Sequence, residues 1–299
     1  MGIGGTWASS MQLEVYMRGK SNVPVYVENA AEYLTTGNKK LTDKSLVVYS
    51  TVTGTTAEMI EFCKAVKAQG TRIFAFVDTP DTELTKPEYQ DYLICYPENE
   101  QLKFYMVGNY LMYKNGDFAD YDEYNKQMEA SLAEGLANIE EAADELGFKF
   151  AKEEVERIKK NPAYPRYFVG GGNHYGATYS YAMCYWEEQM WVRTKSITAP
   201  EFFHGMLEVV DEDTPVTVFV GEDEQRVLSE RVVKFLEKVN KNHFVIDTQD
   251  YDMPGIDEKY RASISHHILR AVNNRVDAYM ELFLEHPLNL RRYYRQIEY

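Results

Sequence analysis

Five short runs rich in β-branched and aromatic residues, at 46–50 (LVVYS), 72–77 (RIFAFV), 167–169 (YFV), 216–220 (VTVFV) and 244–247 (FVID), alternate with longer stretches of helical spacing. That alternation restricts the chain to an α/β fold with parallel sheets, because parallel neighbours must be joined by crossovers. Between the runs, Ile60, Cys63 and Val66 fall on one helical face, and so do Leu228, Val232, Phe235, Leu236 and Val239. Gly70 stands where the first of these helices should stop. Residues 121–161 read differently, as long, heavily charged helices that brace or connect two α/β parts, closed off by Asn161-Pro162.

The two halves repeat one order of elements. Each has a glycine-rich turn entering a helix (GIGGTWASS at 2–10; GGGNHYGATYS at 170–180), then an extended stretch with a glutamate, an apolar strand, a helix of about four turns and a further strand. The expected division is a first subdomain over 1–118, connecting helices over 119–160 and a second subdomain over 161–299. In such duplicated βαβ units ligands bind beyond the carboxyl ends of the strands. The first half opens directly on its glycine turn, so it is expected to lack the strand that 167–169 supplies in the second.

Composition excludes several classes. Over 299 residues, 32 basic against 47 acidic side chains leave a net charge of -15, which argues against nucleic-acid binding through clustered Lys and Arg. The three cysteines, Cys63, Cys95 and Cys184, form no C-x-x-C pair, so neither a disulfide framework nor a zinc ribbon is expected. No apolar run approaches the roughly 18 residues of a membrane span, and no signal pattern opens the chain. A cytoplasmic location follows as the expectation, with no membrane partner, cofactor or metal.

The chemistry concentrates in two places. The stretch 47–58 (VVYSTVTGTTAE) is a buried strand running into a hydroxyl-rich turn and then a helix, the outline of an anion site. Backbone N–H groups at the helix start and the hydroxyls of Ser50, Thr51, Thr53 and Thr56 can all donate to a phosphate. A capping box, Thr55 to Glu58, would need no ligand. Yet five hydroxyls in the seven residues 50–56 exceed what one cap requires. The matching turn of the second half, Gly221-Glu222-Asp223-Glu224, carries three carboxylates and no hydroxyl, so one phosphate site per chain is expected.

In the second half, Glu188 and His204 are the candidates for proton transfer. A carboxylate walled by Trp186, Met190 and Trp191 would be harder to ionise, and imidazole titrates near neutrality. By residue type alone, Glu188 beside Glu187 reads equally as a solvated helix face, and His204 as a structural hydrogen-bonder. His266-His267 lack the spacing for a shared metal and read as structural. Gly170-Gly171-Gly172 is not followed by a dinucleotide fingerprint.

Gly4-Gly5-Thr6 opening a helix, STVTGTTAE at 50–58 and EFFHGMLEVV at 201–210 together resemble the sugar-isomerase (SIS) domains of the isomerase half of glucosamine-6-phosphate synthase. Within that superfamily the E-F-x-H-G segment, GEDEQR at 221–226 and the ending HPLNLRRYYRQIEY look like the fructosamine 6-phosphate deglycases. The resemblance covers nearly the whole chain. It implies two tandem SIS subdomains, each a flavodoxin-like parallel sheet flanked by helices in three α/β/α layers. By position it implies phosphate-binding hydroxyls at Thr6, Thr51, Thr53 and Thr56, a catalytic pair at Glu188 and His204, and a homodimer with shared active sites. The implied reaction is hydrolysis of a fructosamine 6-phosphate, such as fructoselysine 6-phosphate. Alternatives on the same fold are an aldose–ketose phosphate isomerase, a glucosamine 6-phosphate deaminase, or a non-catalytic sugar-phosphate sensor. The chain departs from the family pattern at Val52, Thr55 and Met206.

Overall fold

The computed structural model describes every residue except Glu98 and Tyr299. The last residue of the deglycase-like ending therefore lies outside the described residues. The chain divides into two units, Met1–Ala119 and Asp120–Tyr299.

The first unit runs α1 (Gly5–Arg18), α2 (Ala30–Thr36), β1 (Leu46–Thr51), α3 (Ala57–Ala68), β2 (Arg72–Val77), β3 (Tyr92–Cys95) and α4 (Glu100–Asn115). Its strands pair in parallel in the order β1-β2-β3, with Val47 opposite Ile73 and Phe74 opposite Tyr92. Met59, Phe62, Cys63 and Val66 recur at helical spacing along α3, so one face of that helix is apolar and closes over Val47, Tyr49, Ile73, Ala75 and Val77. The far edge of β1 has no strand partner among the described residues. It faces a cavity of about 740 Å³ walled by Leu13, Val25, Val27 and Phe104, and the Met1 amino group donates to Val48 O at 3.1 Å.

The second unit comprises α5 (Tyr121–Ala142), α6 (Asp144–Lys160), β4 (Arg166–Gly170), α7 (His174–Ser180), a π-helical segment (Tyr181–Glu187), β5 (Thr194–Thr198), α8 (Ala199–Phe202), β6 (Val216–Val220), α9 (Arg226–Val239), β7 (His243–Asp247), α10 (Glu258–Arg261) and α11 (Ser265–Leu284). Its four parallel strands lie in the order β5-β4-β6-β7, so β4 covers the edge of β6 that corresponds to the open edge of β1. One side of the sheet packs Val169, Val216, Val218 and Val220 against Val232 and Leu236 of α9. The other carries an aromatic cluster in which Phe168 meets Trp186 at 5.1 Å between ring centroids and Phe219 at 6.0 Å.

The start of α11 brings a pH liability. His266 and His267 are buried there, and burial pushes His267 down to about 4 and His266 well below its ordinary value. Burial likewise lowers His174 at the start of α7. A lowered folded-state value means that the unfolded chain takes up protons the folded chain refuses. Stability is then intact above about pH 6.5 and is lost as pH falls toward 4, with a ceiling of about 3 kcal/mol for His267 alone. Asp277 opposes this: burial raises it to about 6 despite Arg270 at 3.2 Å, so its share of stability declines as pH rises through the same window. Three lowered imidazoles against one raised carboxyl predict net acid lability. Urea unfolding midpoints should fall between pH 6.5 and 4.5, and His267→Gln should flatten the decline; a midpoint constant across that window would contradict the prediction.

Candidate functional site

In the first unit β1 ends at Thr51, and the chain reaches α3 through a turn that only glycine can make at its centre. Gly54 adopts φ 62°, and a Cβ there would sit 2.0 Å from Thr82 Oγ1. The Gly54 N–H donates to Thr51 Oγ1 at 3.3 Å, and its carbonyl accepts from Leu84 N at 2.9 Å. Thr55 Oγ1 reaches Thr53 Oγ1 at 3.4 Å, while Ser50 is buried with its hydroxyl unbonded by protein. The N-cap of α3 is Thr56, and no side chain caps the helix: the Thr55–Glu58 capping box does not form. The first N–H groups of α3 thus keep their donor capacity and lie at the positive end of the helix dipole, worth ~0.3–1 kcal/mol to an anion. Thr6, in the first turn of α1, donates to Ile3 O at 3.1 Å and accepts from Ile3 N at 3.4 Å, closing the glycine turn.

The matching turn of the second unit has filled itself. Asp223 Oδ2 accepts from Asn173 N at 2.6 Å and Oδ1 from Gln225 N at 2.9 Å, placing a protein carboxylate between the two turns. Gly172, at φ 59°, permits that approach, since a Cβ would lie 2.2 Å from Asp223 Oδ2. Nearby, Arg261 holds Glu222 in a two-pronged bond at 2.7 and 2.8 Å, and Arg226 Nη1 donates to Asp247 at 2.8 Å. A ligand phosphate would have to displace an internal anion here, whereas the first unit offers hydroxyls and open amides.

Glu188 sits just past the π-helical segment, its N–H bonded to Met183 O five residues back at 2.9 Å. The neighbouring Glu187 bonds Thr194 N and Oγ1, at the amino end of β5. Trp186 turns inward and is wholly buried against Phe168 and Tyr181, so the apolar wall expected around Glu188 is partly absent. Arg291 stands there instead, with Nε 2.8 Å from Glu188 Oε1. No local pattern announces that pairing across 103 residues. His204 occupies an exposed turn after α8, beyond the carboxyl end of β5, its N–H bonded to Glu201 O at 2.9 Å. Glu188 and His204 of one chain therefore flank opposite ends of β5, a strand of five residues spanning about 16 Å. Among the described residues no cluster of His, Cys, Asp and Glu is arranged to hold a metal ion, and no helix is long and apolar enough to cross a membrane.

No family model matches the chain. It is 26% identical to a fructosamine deglycase of Bacillus subtilis over 294 residues, covering 95% of this chain and 87% of that protein. It is 24% identical to a fructoselysine 6-phosphate deglycase of Escherichia coli over 280 residues, covering 92% of this chain and 78% of that protein. A solved Bacillus subtilis structure named as a phosphosugar isomerase superposes with a TM-score of 0.87 at 25% identity, over all of this chain and 91% of that one.

Proposed function

We propose that this chain, a homologue of the fructosamine deglycases with the tandem sugar-isomerase fold and an enzyme of the sugar-phosphate deglycase or isomerase kind, hydrolyses a fructosamine 6-phosphate to glucose 6-phosphate and a free amine. Fructoselysine 6-phosphate is the probe substrate. The observation that carries the reading is the uncapped start of α3 after a hydroxyl-rich turn, set against the self-filled turn of the second unit. The phosphate binds the first-unit turn through Ser50, Thr51, Thr53, Thr56 and the α3 amides, with Thr6 fixing the adjacent glycine turn.

In the opened sugar, Glu188 takes a proton from C1, the C–H electrons form the C1=C2 bond, and O2 gains a proton delivered by His204. The resulting enaminol is protonated at C2 as its nitrogen loses a proton, giving a C1=N Schiff base. Water adds at C1, the C1–N bond breaks, and the amine leaves with the proton. The sequence balances with one water consumed and no external oxidant.

The separation of Glu188 and His204 along β5 supports a dimeric enzyme in which His204 of the partner subunit completes the site. Incubation with fructoselysine 6-phosphate should release glucose 6-phosphate and lysine in equal amounts. Interconversion of fructose 6-phosphate and glucose 6-phosphate without amine release, or ammonia from glucosamine 6-phosphate, would replace this reading with an isomerase or a deaminase. Binding of glucose 6-phosphate with no turnover of any of these would make the protein a sensor.

A further inference from the structure

We propose that Arg291, from the tail after α11, positions Glu188 as the proton-accepting carboxylate, so that the tail is a working part of the site; this rests on the reading of Glu188 as the base. The geometry is specific. Arg291 Nε donates to Glu188 Oε1 at 2.8 Å, while Nη1 donates to the carbonyls of Leu288 at 2.7 Å and Leu290 at 3.0 Å. The guanidinium is thus clamped by the turn of its own tail, and the edge it presents to Glu188 is fixed. The bond engages one carboxylate oxygen, and among the described residues none is bonded to Oε2, the oxygen assigned here to proton abstraction. The two side chains are 21% and 34% exposed, so the pair is shielded more than an ordinary surface ion pair.

The tail is itself anchored to the loop that carries Glu188. The Arg292 guanidinium lies 4.3 Å from the centroid of the Trp191 ring, and the His286 ring is 4.3 Å from the same indole. Leu288 N donates to Glu281 Oε1 at 3.0 Å, tying the tail back to α11. Trp191 holds φ 58°, a left-handed conformation that a bulky residue adopts only when its surroundings impose it. On its other side the loop is secured by Glu187 to Thr194 of β5. A base that removes a carbon-bound proton must be aimed, and a fixed guanidinium on the opposite oxygen supplies that aim.

The test compares Arg291→Gln, Arg291→Lys and Glu188→Gln in the full chain, with fructoselysine 6-phosphate as probe. Arg291→Gln should lower kcat roughly tenfold or more, the scale of a lost hydrogen bond to a charged group, with KM little changed. It should also raise the primary isotope effect with 1-deuterated substrate, because proton abstraction becomes slower. Arg291→Lys or added guanidinium ion should restore part of kcat, which a merely structural role would not allow. Combining Arg291→Gln with Glu188→Gln should be no worse than Glu188→Gln alone. An Arg291→Gln enzyme at or above the parent rate would overturn the proposal and mark the tail as idle or as a brake. A raised KM at unchanged kcat would overturn it in favour of substrate binding. If Glu188→Gln itself turns over normally, the assignment of the base falls, and this proposal with it; if only the Arg291 variants turn over normally, the assignment of the base stands.

Discussion

Glu188→Gln and His204→Gln should each lower kcat by about 10²–10⁴-fold, and co-expressing the two inactive chains should recover up to about a quarter of the parent activity. The first effect follows from the proposed roles: each substitution removes a group that would move a proton while leaving the proposed phosphate turn intact, so KM should change far less. The second follows from the placement of the two residues beyond opposite ends of β5. If each site takes Glu188 from one chain and His204 from its partner subunit, a mixed dimer contains one site with both defects and one with neither. Random pairing makes about half the dimers mixed, and half the sites in those are intact. A site built within one chain would give no recovery, because every site would carry one defect. Dimers that form normally yet stay inactive when mixed would therefore exclude sharing, and full activity in either variant would exclude its catalytic role.

What the sequence revealed followed from how local each signal is. β1, β2 and β6 were legible because both faces of each are covered, which forces continuous apolar runs. β5 (Thr194–Thr198) escaped notice because an edge strand with partly exposed faces can be written TKSIT, and β3 (Tyr92–Cys95) because it is four residues long and exposed throughout. The π-helical segment left no periodic trace, since its one-residue offset has no sequence code. The strand-to-helix turn at 50–56 could be read because strand, glycine, hydroxyls and helix start are contiguous; that it holds an anion is our proposal. Arg291 could not: its partner lies 103 residues away, and only the folded path of α11 brings the tail to Glu188.

The second unit's turn shows how a duplicated frame becomes asymmetric. Its three carboxylates were legible as hostile to phosphate, but their disposition was not. Asp223 does more than repel, since it occupies backbone donors of both turns of the second unit and so serves the fold. On the proposed reading, the same supersecondary unit gives one half to binding and the other to rigidity.

Trp186→Ala should be the most destabilising single substitution outside the site, by about 3–5 kcal/mol. Trp186 is 0% exposed and meets Phe168 at 5.1 Å, Tyr181 at 6.2 Å and Phe150 at 6.3 Å between ring centroids, so its removal leaves a cavity that rigid neighbouring rings cannot collapse into. For a unit of this size each kcal/mol shifts the melting point by roughly 2–4 °C, so a fall of roughly 6–20 °C is expected in the transition of the second unit. Activity should fall further than stability explains. Trp186 anchors the π-helical segment two residues before Glu188, and without the ring the segment can relax to α-helical winding. One residue of register is about 100° around a helix, enough to turn Glu188 away from Arg291. Trp186→Phe, which keeps most of the ring contact, should restore much of the melting point and with it the aim of the carboxylate. If Trp186→Ala melts as the parent does, the aromatic cluster is not what holds the segment; if it melts early yet turns over normally well below its transition, the link from this core to Glu188 is broken.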